Sequence, residues 1–227
     1  MLTMQNEKDK IVFLDFCGTC VPFQSADRFV LFVIANYTTF AIRVRAVLFK
    51  VPLKLHLIKR IERWSKHRIT SKKLILYQIK GLKENVMEEA AQQYFKQIIK
   101  PSLISEIQDE IKQKQKKGYR IVIVSGGYDI YIKYFMKYIG GSIDDVLATP
   151  LLFEKGKFTG KMGLDCMAEN KITYIRKHFN PDDIYSVAYS DALSDTPLFN
   201  FSNEAYMITR LPACLRTKKI MTTYYYE

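Results

Sequence analysis

Apolar runs bounded by turn residues alternate along the chain with stretches whose apolar positions return at helical spacing. "KIVFLDF" (10–16) predicts a buried strand ended by Gly18. "SADRFVLFVIANYTTFAI" (25–42) predicts a helix that starts near Ser25 or Asp27. Its uncharged apolar part, Phe29 to Ile42, is shorter than the ~20 residues that span a bilayer. After Pro52, "LKLHLIKRIERW" (53–64) sets apolar residues at helical spacing with cations between them. Residues 82–117 predict two helices broken at Pro101. "YRIVIVSGGY" (119–128) predicts a second buried strand ending in Ser-Gly-Gly, and "DIYIKYFMKYIGG" (129–141) a helix closed by glycine. "ATPLLFEKGKFTGKM" (148–162) predicts two extended segments around a turn at Lys155 and Gly156. "NKITYIRKHF" (170–179) predicts a helix, "IYSVAYSD" (184–191) a third buried strand and "AYMIT" (205–209) a fourth.

Strand, long helical segment, then strand–helix–strand alternation predicts an α/β core with a parallel sheet. The helices between the first two strands form an insertion, so residues 1–20 and 106–227 are expected as core and 21–105 as a helical cap. Ligands on such sheets bind at the carboxyl ends of the strands. Those ends carry Asp15, Ser125, and Asp191 with Asp195.

Composition adds a charge. The net charge is +12, and residues 41–80 hold twelve Lys or Arg against a single acid, Glu62. A block of this kind suits an anionic partner or a solvated helical face. The polar N-terminal residues do not form a secretory signal, and four cysteines do not make a disulfide framework, so a reduced cytoplasmic chain is expected.

"DFCGTC" (15–20) admits three chemistries. C-x-x-C after a strand is a dithiol layout, but Val21-Pro22 keeps a helix from starting at the motif to lower a thiol pKa. Zinc needs four ligands, whereas Cys166, Cys214, His56, His67 and His178 are scattered. A phosphate-handling loop with Asp15 as nucleophile accounts for more of the chain. Each residue also has a plainer structural role: Ser125 as a helix cap, Asp191 and Asp195 as turn residues before Pro197, Lys171 as one surface cation among several.

Four motifs in order resemble the haloacid dehalogenase superfamily, and within it the phosphoserine phosphatase-like subfamily IB, over about residues 10–210. They are "FLDFCGT" with Asp15, "VIVSGG" with Ser125, "CMAENK" with Lys171, and "AYSDALSD" with Asp191 and Asp195. The resemblance implies a Rossmann-like core with a helical cap of the C1 type after the first strand. It implies that Asp15 attacks phosphorus and that magnesium is held by Asp15, Asp191 and the backbone carbonyl of Cys17. Ser125, Gly126, Gly127 and Lys171 would hold the phosphoryl oxygens, and Asp195 would orient Lys171 or a water.

The chain departs from the family at Cys17, where the phosphatases carry a proton-shuttling Asp. General acid–base help is worth about 10² to 10⁴ in rate. Three expectations follow: a phosphatase with another proton donor, a phosphotransferase or enzyme for good leaving groups, or a phosphate-binding module with little turnover. Gln24 stands where the phosphoserine phosphatases have an acid, which favours sugar, polyol or lipid phosphates over phosphoserine. Cations interleaved with apolar residues from Phe40 to Trp64 suit peripheral contact with an anionic membrane. Nucleic acid is the weaker alternative, since no binding motif is present.

Overall fold

The computed structural model describes residues 8–40, 42, 70–209 and 222–225, the last four by backbone alone. Most of the basic block, including the helix expected over 53–64, lies outside the described residues. The core is a parallel sheet of β1 (Asp9–Leu14), β2 (Arg120–Tyr128), β3 (Val146–Thr149), β6 (Ile184–Ser190), β7 (Glu204–Thr209) and β8 (Thr222–Tyr225). Their order is β3-β2-β1-β6-β7-β8, every neighbouring pair parallel. The order reverses between β1 and β6, which places the binding crevice beyond their carboxyl ends.

The central strands are apolar on both faces because both faces are covered. Val12, Leu14, Ile121, Ile123, Val187 and Tyr189 pack under α1 (Ser25–Tyr37), α3 (Glu84–Tyr94), α4 (Ser105–Lys116) and α5 (Asp129–Tyr138). Ile11, Phe13, Val122, Val124 and Ala188 pack against α6 (Glu169–Ile175) and α7 (Thr196–Phe201). Between β1 and β2 the chain carries α1, α2 (Ser71–Tyr77), α3 and α4. After Tyr94 a π-helical turn (Phe95–Ile99) and a 3-10 turn (Lys100–Ser102) with Pro101 separate α3 from α4. The hairpin β4 (Leu151–Glu154) and β5 (Lys157–Met162) turns at Lys155 and Gly156 and packs on α2.

One local expectation needs correction. α1 ends at Tyr37, because Thr38 is extended (φ −122°, ψ 163°) and its Oγ1 donates to the Ile34 carbonyl at 2.6 Å. The helix starts at Ser25, as expected; its N-cap Gln24 makes no side-chain cap bond, and Ser25 turns its hydroxyl into the core. β2 runs through Gly126 and Gly127 to Tyr128, as expected over 119–128, with a register shift against β3 after Ser125. β8 was not anticipated.

Candidate active site

Beyond the carboxyl ends of β1, β2 and β6 lies a cleft of about 220 Å³ lined by every residue singled out from the sequence: Asp15, Cys17, Gln24, Ser125, Gly126, Gly127, Lys171, Asp191 and Asp195.

The loop after β1 folds back tightly. The N–H groups of Cys20 and Val21 both donate to the Phe16 carbonyl, at 2.9 and 3.2 Å, and Gly18 N–H donates to the Val21 carbonyl at 2.7 Å. Gly18 has φ +84°, and a Cβ there would lie 2.0 Å from Asp191 Oδ2. Glycine is therefore required twice, by the left-handed backbone and by the approach of Asp191. The motif's Thr19 secures the same junction: Asp191 N–H donates to Thr19 Oγ1 at 3.1 Å.

Lys171 joins the two ends of the motif set. Its ammonium donates to Asp15 Oδ1 at 2.7 Å and to Asp195 Oδ2 at 2.6 Å, and all three groups are buried. Burial alone would lower the Lys171 pKa, but Asp15 and Asp195 outweigh it and hold the ammonium charged. Burial raises Asp15, with Lys171 opposing it. Asp195 Oδ2 also accepts from Ser190 Oγ at 2.5 Å, so one oxygen is shared by Lys171 and Ser190. Asp195 closes a 3-10 turn, Leu193–Asp195, that follows Asp191. The backbone just before Lys171's helix is strained: Ala168 has φ 48° and ψ −127°.

Asp191 is pushed up to about 6, by burial first and by Asp15 second. The Lys171 ammonium opposes the shift, but among the described residues no cation forms an ion pair with Asp191. Asp15 and Asp191 both line the cleft, and carboxylate oxygens are the ligand type that magnesium takes.

The two thiols of the C-x-x-C are free and engaged elsewhere. Cys17 Sγ lies 2.9 Å from Ser25 Oγ, and Cys20 Sγ donates to the Asp15 carbonyl at 3.3 Å. Burial pushes both thiols up, so neither is the thiolate that a redox dithiol needs. Zinc fares no better: among the described residues no three His, Cys, Asp or Glu side chains are grouped to hold a metal.

Lys72, Asp27 and Met167 also line the cleft and were not singled out from sequence. Lys72 was hidden inside the basic run. Asp27 was weighed as a helix-start residue. Met167 lies over Gly126, 2.5 Å (Cγ) from where a Cβ would stand.

The haloacid dehalogenase-like hydrolase model matches residues 12–200. The chain belongs to that family. A phosphoserine phosphatase of Methanocaldococcus jannaschii is 30% identical over 99 residues, 40% of this chain and 44% of that protein. A probable phosphatase of Mycobacterium tuberculosis is 25% identical over 114 residues, 49% of this chain and 39% of that protein. The matched stretch therefore spans less than half of either relative. A solved structure of a Bordetella pertussis protein of unknown function shares the fold at TM-score 0.71 and 16% identity, covering 89% of this chain and 91% of that one. Among the described residues no helix is long and apolar enough to cross a membrane.

Proposed function

We propose that the chain is a magnesium-dependent phosphohydrolase acting on a small organic phosphomonoester through an aspartyl-phosphate on Asp15. The observation that carries this is the buried Asp15–Lys171–Asp195 chain, at 2.7 and 2.6 Å, at the floor of the cleft that also holds Ser125 and Asp191. Lys171 engages one oxygen of Asp15 and leaves the other as nucleophile. That oxygen forms a bond to phosphorus as the bond to the leaving oxygen breaks. Water then attacks the acyl phosphate, which releases inorganic phosphate and restores the carboxylate. Ser125 and Lys171 donate to the phosphoryl oxygens, where charge is spread in the transition state. Asp15, Asp191 and the Cys17 carbonyl would hold magnesium, which when bound masks the charge on the attacking carboxylate.

Cys17 does not replace the missing acid. Its sulfur is committed to Ser25, and its pKa is raised further by burial and by Asp15. The leaving oxygen must take its proton from water, which favours leaving groups that need little protonation. Transfer to an acceptor other than water uses the same first step.

Sugar, polyol or lipid phosphates are preferred over phosphoserine because Gln24 at the cleft wall is uncharged. Asp27, on the same wall three residues further, restores a carboxylate that an ammonium group could meet. Phosphoserine is therefore one arm of the substrate test. Peripheral contact with anionic membranes through residues 41–80 belongs to the same proposal, supported by their charge. Sedimentation that does not depend on anionic lipid would remove it.

The deciding experiment is phosphate release from an aryl phosphate, with and without magnesium, beside Asp15→Asn. Turnover that needs both the metal and Asp15 is expected. Turnover that survives Asp15→Asn would sink the mechanism.

A further inference from the structure

Lys72 sits on α2, 54 residues before Gly126, and donates to the Gly126 carbonyl at 2.6 Å. It also donates to Asp165 Oδ1 at 2.6 Å, and its side chain is 16% exposed. Thr149 Oγ1 reaches the same two acceptors, at 3.3 Å and 2.9 Å. The ammonium lies over the Tyr128 ring, 5.3 Å from its centre. The Gly126 carbonyl is thus gripped by a cation that is itself fixed from several sides.

A peptide unit is planar, so the Gly126 carbonyl and the Gly127 N–H move as one body and point in opposite directions. Holding the oxygen aims the N–H. That N–H donates to Ser125 Oγ at 3.1 Å. Ser125 is fully buried, and its hydroxyl proton has no acceptor among the described residues. A cation on the carbonyl polarises the peptide, strengthens its N–H as a donor, and makes the accepting hydroxyl a better donor in turn. The two glycines fit this arrangement, since a Cβ on Gly127 would stand 2.7 Å from the Tyr131 hydroxyl.

We propose that Lys72 is a positioning residue for phosphate binding, acting on Ser125 through the Gly126–Gly127 peptide. It holds and polarises that peptide so that the Ser125 hydroxyl presents its proton to a phosphoryl oxygen. The inference rests on the reading of Ser125 as a phosphate donor. It assigns a role at the phosphate end of the cleft to a side chain from the helical segment between β1 and β2. A lysine that instead touched the phosphate or the leaving group would act independently of Ser125.

The test is a double-mutant cycle on the full chain, read as the affinity for inorganic phosphate by calorimetry in magnesium buffer. Ser125→Ala and Lys72→Met are each expected to weaken binding roughly tenfold, as for loss of a charge-assisted hydrogen bond. The double variant is expected to bind no worse than Ser125→Ala alone. Lys72→Arg, which keeps a cationic donor, should recover most of the loss. Asp165→Asn, which loosens the anchor of Lys72, should weaken binding in the parent and not in Ser125→Ala. It carries the cycle if Lys72→Met fails to fold.

Additive losses, near a hundredfold in the double variant, would overturn the inference and leave the catalytic reading standing. Unchanged phosphate affinity in Lys72→Met would do the same. No loss in Ser125→Ala would remove both this inference and the phosphate role of Ser125, while Asp15→Asn reports separately on the nucleophile.

Discussion

Cys17 Sγ lies 2.9 Å from Ser25 Oγ, and Ser25 N–H donates to the same sulfur at 3.4 Å. Ser25 is held in turn, with its hydroxyl 2.5 Å from the Tyr131 hydroxyl and its carbonyl accepting from Tyr94 at 2.9 Å. The Ser25 N–H is a donor aimed at position 17, and the Ser25 hydroxyl can donate to a carboxylate there while accepting from Tyr131. Cys17→Asp is therefore expected to seat without rearrangement and to supply the missing proton relay. Hydrolysis of an alkyl phosphate such as glycerol phosphate should rise on the order of 10²-fold or more. An aryl phosphate, whose leaving group needs little protonation, should gain much less. Comparing kcat for the two substrates checks this; an alkyl rate that does not move would acquit Cys17.

The junction of the first and last motifs can be probed at Gly18. Ala there meets two penalties: φ +84°, and a Cβ 2.0 Å from the Asp191 carboxylate. Gly81 provides the control, with φ +88° and nothing within 4 Å of its Cβ. Both Gly→Ala changes should cost about 1 kcal/mol from backbone strain. Gly18→Ala should also displace Asp191 and abolish turnover, whereas Gly81→Ala should keep it. Urea unfolding beside phosphate release separates the two effects. Equal activity in both variants would mean that Asp191 does not work where the cleft places it.

The strands were legible because a parallel strand buried on both sides is a near-continuous apolar run, and "IVFL", "IVIV" and "VAY" are such runs. Their carboxyl ends then named Asp15, Ser125 and Asp191. The contact of Lys171 with Asp15 spans 156 residues and had no local signal beyond the motif resemblance. Lys72 was unreadable because a charge run does not say which of its members turns inward. Ser25 read only as a residue near a helix start, because its partner Tyr131 lies 106 residues away. The end of α1 was misplaced because the apolar pattern continues to Ile42 while the backbone turns at Thr38.

Lys171 carries a structural burden that can be separated from its chemical one. Its ammonium lies between two carboxylates, with side-chain exposures of 3% for Lys171, 8% for Asp15 and 4% for Asp195. Removing one partner from a buried ionic group leaves uncompensated charge and costs roughly 3–5 kcal/mol. Lys171→Met should lose stability on that scale, and turnover with it. Adding Asp195→Asn removes one of the stranded charges and should restore part of the stability and none of the turnover. Denaturant midpoints and rates of the single and double variants decide this. A double variant less stable than Lys171→Met would contradict the charge account.

A carboxylate outside the cleft gives stability a pH dependence. Asp129 opens α5 and lines a separate hollow with Glu84, Glu88 and Lys133. Burial pushes it up to about 6; the N–H groups of Ile130 and Leu151 and the Lys133 ammonium oppose the shift, and Glu88 adds to it. The unfolded chain ionises near the ordinary aspartate value of about 3.9. Between those values the folded protein binds a proton that the unfolded chain has released. The contribution is therefore fully present below about pH 4 and lost as pH rises through about 6, with a size of about 2–3 kcal/mol. Asp129→Asn cannot ionise, so it should match the parent at pH 4 and exceed it by about 2 kcal/mol at pH 7. Cleft carboxylates are common to both proteins and cancel in the difference. Urea titrations at several pH values measure it; a difference that stays flat from pH 4 to 7 would show that Asp129 titrates as an ordinary surface acid.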